Sequence, residues 1–286
     1  MPADLTGDNF KITCKGRATS PLSVVYANGP RRIVVLLDVS GSMSGQPVGD
    51  TGKWRIARSA AWNLVNVLPP QSATSLMTFA EKAEIRAPMS VDRTPMGNWL
   101  NGEAARHPSR SLNGHTALYA AVQSAIAQLQ PSQPGDVIYV ITDGGENASH
   151  VRETEVENEL RAAGIRLFAL IVASGGANSE EERSGPAVLE RLSKVSGGFA
   201  ERLPALSFDS PLLYDDHMEE WIRLHSRRLS MKMAAFYSIT VQIPQDSDKS
   251  SHLDISVVDG RGRKRKDLSL AYPHRLSPCT VESVQR

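Results

Sequence analysis

Ile33-Val34-Val35-Leu36-Leu37-Asp38-Val39-Ser40-Gly41-Ser42 is the stretch on which the fold turns. Its first half is a short, continuous, β-branched-rich run, the pattern of a central parallel strand covered on both faces. Its second half becomes polar. Asp38 stands where the strand ends, and Gly41 removes the steric bar to a tight turn carrying the hydroxyls of Ser40 and Ser42.

Working outward, residues 54–68 carry Ala57, Ala61, Leu64 and Leu68 at helical spacing and stop at Pro69-Pro70. Residues 75–79 read as a second strand, 83–86 as a short edge strand, and Met96, Trp99 and Leu100 as a short helix. Over 116–130, Leu118, Ala121, Val122, Ala125, Ile126 and Leu129 form one apolar stripe. A strand at 137–141 follows, then a helix at 152–163 ended by Gly164, and a strand at 165–172. Residues 186–196 read as a helix with Ser184 near its start, Pro186 in its first turn and Gly197-Gly198 beyond its end. Residues 199–203 make the last strand. Strands alternating with single helices predict an α/β fold, a doubly wound, mostly parallel sheet with right-handed crossovers.

The two ends differ. Phe10, Ile12 and Cys14 alternate with polar residues, as do Tyr237 to Ile243, Leu253 to Val257, and Leu268, Leu270 and Tyr272. Period-two alternation predicts antiparallel sheets with one wet face. Asp259-Gly260 is a turn signal between two such strands. The expected organisation is therefore N-terminal strands in 1–30, the α/β domain in 31–205, a connecting helix in 206–233, and a C-terminal β-meander in 234–286. Both ends would share one small antiparallel subdomain.

Composition excludes several classes. The 286 residues suffice for one full domain and a small appendage. A net charge of +1, from 32 basic and 31 acidic residues, gives no overall field toward nucleic acid. The basic run Arg261 to Lys266 has no aromatic interleaving and reads as a solvated strand edge. No stretch approaches the ~20 apolar residues of a membrane span. Cys14 and Cys279 read either as two buried thiols or as a bond stapling the termini in an oxidising compartment.

In open α/β sheets, ligands bind beyond the carboxyl ends of the strands, near the point where strand order reverses. Asp38, Ser40 and Ser42 occupy one such rim position, and Thr142-Asp143-Gly144-Gly145 ends a later strand. Between them, Thr116 supplies a hydroxyl ahead of the long apolar helix. Two carboxylates and three hydroxyls are hard oxygen ligands, suited to Mg²⁺, or alternatively Mn²⁺ or Ca²⁺, and not to Zn²⁺. So few negative ligands leave a dication electrophilic toward an incoming carboxylate. That amounts to binding without chemistry on the ligand.

Asp38-x-Ser40-x-Ser42, Thr116 and Asp143 resemble, in order and context, the metal-ion-dependent adhesion site of von Willebrand factor type A domains and integrin inserted domains. The resemblance covers about 31–203. It implies direct ligation by Ser40, Ser42 and often Thr116, aspartates frequently acting through water, and an Asp or Glu of a protein partner completing the shell. The flanks, Leu5 to Ile12 and the tail after Phe236, resemble a bacterial group of such proteins, often from acidobacteria and usually exported. An exported location follows, periplasmic, secreted or at the cell surface, with the signal sequence upstream of Met1; the cytoplasm is the alternative.

Competing readings fit less well. A P-loop at Gly52-Lys53 would need Gly at Pro47 and Ser or Thr at Trp54. A nucleophile elbow would need Ser at Met43. An aspartyl-phosphate enzyme built on Asp38 would want a second acid at Ser40. No general base is placed for an enzyme, so a non-enzymatic binding module is expected. A subunit docking to an AAA+ ATPase motor, as in chelatase complexes, is the alternative function. His115 reads as a rim or packing residue, and Met43 and Trp54 as partner contacts or packing.

Overall fold

The computed structural model describes residues 4–44, 52–102, 112, 114–172, 180–203, 211–241, 251–268, 270 and 272–276. Its centre is a six-stranded sheet of β4 (Arg32–Asp38), β5 (Ala73–Phe79), β6 (Ala83–Ser90), β7 (Val137–Thr142), β8 (Arg166–Ile171) and β9 (Ala200–Arg202). The order is β6-β5-β4-β7-β8-β9, parallel throughout except for the antiparallel edge strand β6. Strand order reverses between β4 and β7, which are direct neighbours.

Burial on both faces explains the unbroken apolar runs of the middle strands. Ile33, Val35, Leu37, Tyr139 and Ile141 point to one layer, where they meet α1 (Lys53–Val67), α2 (Thr94–Asn101) and α6 (Pro211–Ala234). Val34, Leu36, Ile138, Val140 and Ala169 point to the other, against α3 (Leu118–Gln128), α4 (Glu153–Ala163) and α5 (Glu180–Ser196). Alternate residues of one strand thus bind opposite helix layers, and each fully buried Leu or Ile contributes about 1.5–3 kcal/mol. The fold is that of a doubly wound α/β domain.

Several elements differ from expectation. The helix read as 186–196 begins at Glu180, with Pro186 inside it. Glu180-Glu181-Glu182-Arg183 are strong helix formers, and they carry the helix past the one ladder bond that proline cannot make. The stripe read as 116–130 yields a helix only from Leu118, so Thr116 lies in the loop before it. Gly164 ends α4 in the left-handed conformation at φ 63°, as its position suggested.

The chain ends form two antiparallel sheets. β1 (Phe10–Cys14) lies between β2 (Arg17–Thr19) and β11 (Ser251–Val257), and β12 (Arg275–Leu276) flanks β11. β3 (Pro21–Asn28) pairs with β10 (Ala235–Val241). The expected C-terminal meander is therefore corrected: β10 and β11 do not pair with each other, because each finds an N-terminal partner instead. Phe10, Ile12, Leu253 and Val257 are buried together, with Val24, Tyr237 and Ile239 of the second pair packed on them. Phe10 meets Tyr237 edge-on at 5.5 Å.

Leu268, Leu270 and Tyr272 are not in strand conformation. The Tyr272 hydroxyl instead accepts from Ile255 N and donates to Asp254 Oδ1, both at 3.0 Å. Asp259 does nucleate a turn, its Oδ1 accepting the amides of Arg261 and Arg263 at 2.9 Å. That turn leads to a single bridge, Val258 to Lys264, and not to a second strand. Cys14 is buried in β1; Cys279 lies outside the described residues, and any pairing with it does too.

The two bodies join at the amino ends of the parallel strands. Arg31 Nη2 donates to the carbonyl of Ala234 at 2.9 Å, and Arg166 Nη2 to that of Met233 at 2.6 Å. These guanidiniums satisfy the end of α6, where carbonyls lack helical partners. Both also stack on the Phe236 ring, at 4.8 and 4.7 Å.

Candidate metal centre

β4 ends on Asp38 and β7 on Thr142, so the strand-order reversal brings two polar strand ends side by side. Thr142 Oγ1 donates to Asp38 Oδ2 at 2.5 Å and accepts from Gly144 N at 3.0 Å. Ser40 N donates to Asp38 Oδ1 at 2.8 Å. Past Ser40 the chain turns into a single 3₁₀ turn, Gly41–Ser44, whose Met43 is wholly buried in the core beneath. The turn leaves Ser40 Oγ and Ser42 Oγ 3.0 Å apart, and Ser42 Oγ donates to Asp143 Oδ1 at 3.2 Å.

The third loop is tied to both. Gly41 N donates to Gly114 O at 3.2 Å, and Ala117 N to Ala80 O at 2.8 Å. Thr116 N donates to Asn147 Oδ1 at 2.8 Å, while Asn147 N returns to Thr116 O at 3.0 Å. Glu146 Oε2 accepts from Tyr119 N at 2.9 Å, covering one of the orphan amides that open α3. A Cβ placed on Gly145 would stand 3.5 Å from Thr116 Oγ1 and 4.0 Å from Asp143 Oδ1. Both oxygens therefore look onto the same spot. Asp38, Ser40, Ser42, Thr116 and Asp143 lie together at one rim.

Solvent barely reaches four of them, and Ser42 is half-buried. Asp38 and Asp143 are 0% exposed, Ser40 1% and Thr116 3%. Burial first, then the charge of Asp143, pushes the Asp38 carboxyl up to about 7, against the opposing hydrogen bonds from Thr142 and Ser40. Two carboxylates this close and this dry lack positive charge. Part of the deficit is met by a residue read in the sequence only as a failed P-loop: Lys53 Nζ donates to Asp143 Oδ2 at 2.8 Å, and its side chain is 5% exposed.

The donor chemistry fits a hard dication. All five side chains offer oxygen. Among the described residues no group of three or more His, Cys, Asp or Glu is placed to hold a metal, so a softer site of that kind is not offered. Lys53, Thr142, Glu146 and Asn147 are the parts that pattern reading missed. Thr142 was legible as the residue before Asp143; the others depend on loops meeting. His115 is exposed beside Thr116, Trp54 is buried edge-on to Trp99 at 6.3 Å, and Met43 and Trp54 are thus packing residues.

Residues 33–146 match the family model of the von Willebrand factor type A domain. Such domains are typically protein-interaction modules and mostly non-enzymatic. The chain is 26% identical over 183 residues to calcium-activated chloride channel regulator 1 of Bos taurus, covering 63% of this chain and 18% of that protein. It is 27% identical over 199 residues to inter alpha-trypsin inhibitor heavy chain 4 of Mus musculus, covering 66% of this chain and 20% of that one. The chain thus spans 18–20% of the length of these curated relatives. The crystal structure of an aerotolerance-related membrane protein from Bacteroides fragilis superposes with a TM-score of 0.53 at 19% identity, over 71% of this chain and 98% of that one. That likeness is one of fold. No helix among the described residues is long and apolar enough to cross a membrane.

Proposed function

We propose that the chain is a divalent-cation-dependent protein-binding module, in which Asp38, Ser40, Ser42, Thr116 and Asp143 hold Mg²⁺, or alternatively Mn²⁺ or Ca²⁺, for an exposed Asp or Glu of a partner. The observation that carries this reading is the convergence of two fully buried carboxylates and three hydroxyls at the strand-order reversal. When bound, the cation supplies a Lewis-acidic position that a carboxylate oxygen can fill. Ser40 and Ser42 offer neutral oxygens on a turn held by Gly41 N and by Ser40 N. Thr116 is held by Asn147, and Thr142 keeps Asp38 aligned. Pre-positioning of this kind removes the ordering cost from the binding step.

Titration calorimetry with magnesium, manganese and calcium chlorides on chelator-stripped protein tests the cation. Heat with a defined stoichiometry, lost in Asp38→Ala and Asp143→Ala variants that still show a cooperative melt, is the expected result. Silence with all three salts would end the proposal. Partner capture from the native organism, with magnesium or with EDTA, tests the second half. Bands present only with magnesium support it, and equal capture under both conditions overturns it.

The same reading places the chain outside the cytoplasm, in the periplasm, the medium or at the cell surface. The resemblance of the flanks, Leu5 to Ile12 and the tail after Phe236, to exported proteins supports it. Fractionation of the native organism decides, since recovery in the cytoplasmic fraction alone would refute it.

A further inference from the structure

Lys53 is an unexpected residue for its place. It is the first residue of α1, where Gly52 is the N-cap and where the helix dipole presents its positive end. A cation there is disfavoured, and burying it to 4% exposure disfavours it further. Such a charge persists only with a partner of opposite sign, and Asp143 Oδ2 at 2.8 Å is one. That carboxylate is also one of the two negative charges in the candidate metal centre. Its other oxygen, Oδ1, faces Ser42 and the spot shared with Thr116.

We propose that Lys53 is the built-in counter-cation of the site: it holds Asp143 in the metal-free protein and competes with a dication for that carboxylate. The inference rests on the reading of the site given above and adds a regulator to it. Without Lys53, Asp38 and Asp143 would face each other with no ammonium beside them among the described residues, a costly state that a bound metal would relieve. With Lys53, the loops keep their shape when no metal is present, because Asp143 remains paired. The cost falls on affinity, since a dication entering beside an ammonium meets repulsion in a medium of low dielectric. The same charge favours the partner. Two carboxylates, one ammonium and a dication leave a net positive site, which draws an anionic side chain more strongly than a neutralised one would.

The test uses the full chain and two variants. Lys53→Met keeps the aliphatic stem and removes the charge; Lys53→Gln keeps a donor toward Asp143. Each protein is stripped with EDTA and dialysed, titrated with magnesium chloride and manganese chloride, and melted with and without magnesium. Both variants are expected to bind magnesium with a Kd roughly tenfold or more below that of the unaltered chain, the effect of deleting one nearby like charge. Both should also melt lower in EDTA and recover when magnesium is added. A variant that folds only with magnesium present supports the proposal in the same way. Equal or weaker magnesium binding by the variants overturns the role of Lys53 while leaving the cation reading intact. Variants that stay unfolded with and without magnesium also overturn it. No heat from any of the three proteins overturns both readings together.

Discussion

Gly185 of α5 lies flat against Gly144: a Cβ on Gly185 would fall 1.4 Å from Gly144 O. Gly144 itself takes φ +100°, and Pro186 packs close behind it. The residue after Asp143 is thus held from behind by a helix that begins far along the chain. Gly185→Ala forces either the helix or the loop to move, because the obstructing atoms are backbone. A loss of about 1–3 kcal/mol in denaturant stability is expected, with weaker magnesium binding than in Gly164→Ala, whose site touches no part of the rim. Wild-type stability in Gly185→Ala would show that the close approach is not needed.

Thr142 ties Asp38 to Gly144 through one hydroxyl. Thr142→Val keeps the shape and deletes both hydrogen bonds, stranding a buried carboxylate oxygen and a buried amide. The expected cost is about 1–3 kcal/mol in urea unfolding, together with a magnesium Kd raised several-fold. An unchanged Kd would mean that Asp38 needs no alignment.

Asp38 is the carboxyl that its surroundings disfavour as an anion. Asp38→Asn removes one of two buried like charges, so in EDTA the variant should melt no lower than the unaltered chain. In magnesium it should gain nothing, whereas the unaltered chain should gain several degrees. A variant that still responds to magnesium would remove Asp38 from the ligand set.

His225 is buried on α6, stacked at 4.7 Å on Trp221, with Nδ1 3.1 Å from Glu201 Oε2. Burial sets the direction, lowering its imidazole below the ordinary 6.5, with Glu201 pulling the other way. An unfolded chain then binds a proton that the folded chain resists. The stability contribution is therefore full above the unfolded value and is lost as pH falls through it toward the depressed folded value. Urea midpoints measured between pH 7.5 and 5 should fall more steeply for the unaltered chain than for His225→Gln. Parallel curves would assign the acid sensitivity elsewhere.

Much of the fold could be read directly because the central strands are dry on both faces. Ile33 to Leu37 and Val137 to Ile141 can be little else than interior strands once helices alternate with them. The candidate aspartates were legible for a related reason, since Asp38 ends one apolar strand and Asp143 follows another; Ser40, Ser42 and Thr116 lie in the loops beyond, and the family resemblance pointed to them. Lys53 was not, because nothing local tells a lysine that opens a helix from one buried against a carboxylate 90 positions away. The pairing of β10 and β11 with N-terminal strands was hidden for the same reason: alternation marks a strand but names no neighbour. Pro186 misled more simply. Proline is a fair sign of a helix start, yet the acidic run before it was a stronger helix former than the proline was a breaker.

The stacking of Arg31 and Arg166 on Phe236 gives the molecule a polarity. β3 and β10 meet the α/β body at the pole where the parallel strands begin, while Asp38 and Asp143 crown the pole where they finish. An anchor attached through either flank would grip the pole remote from the crown and leave the proposed cation site facing outward.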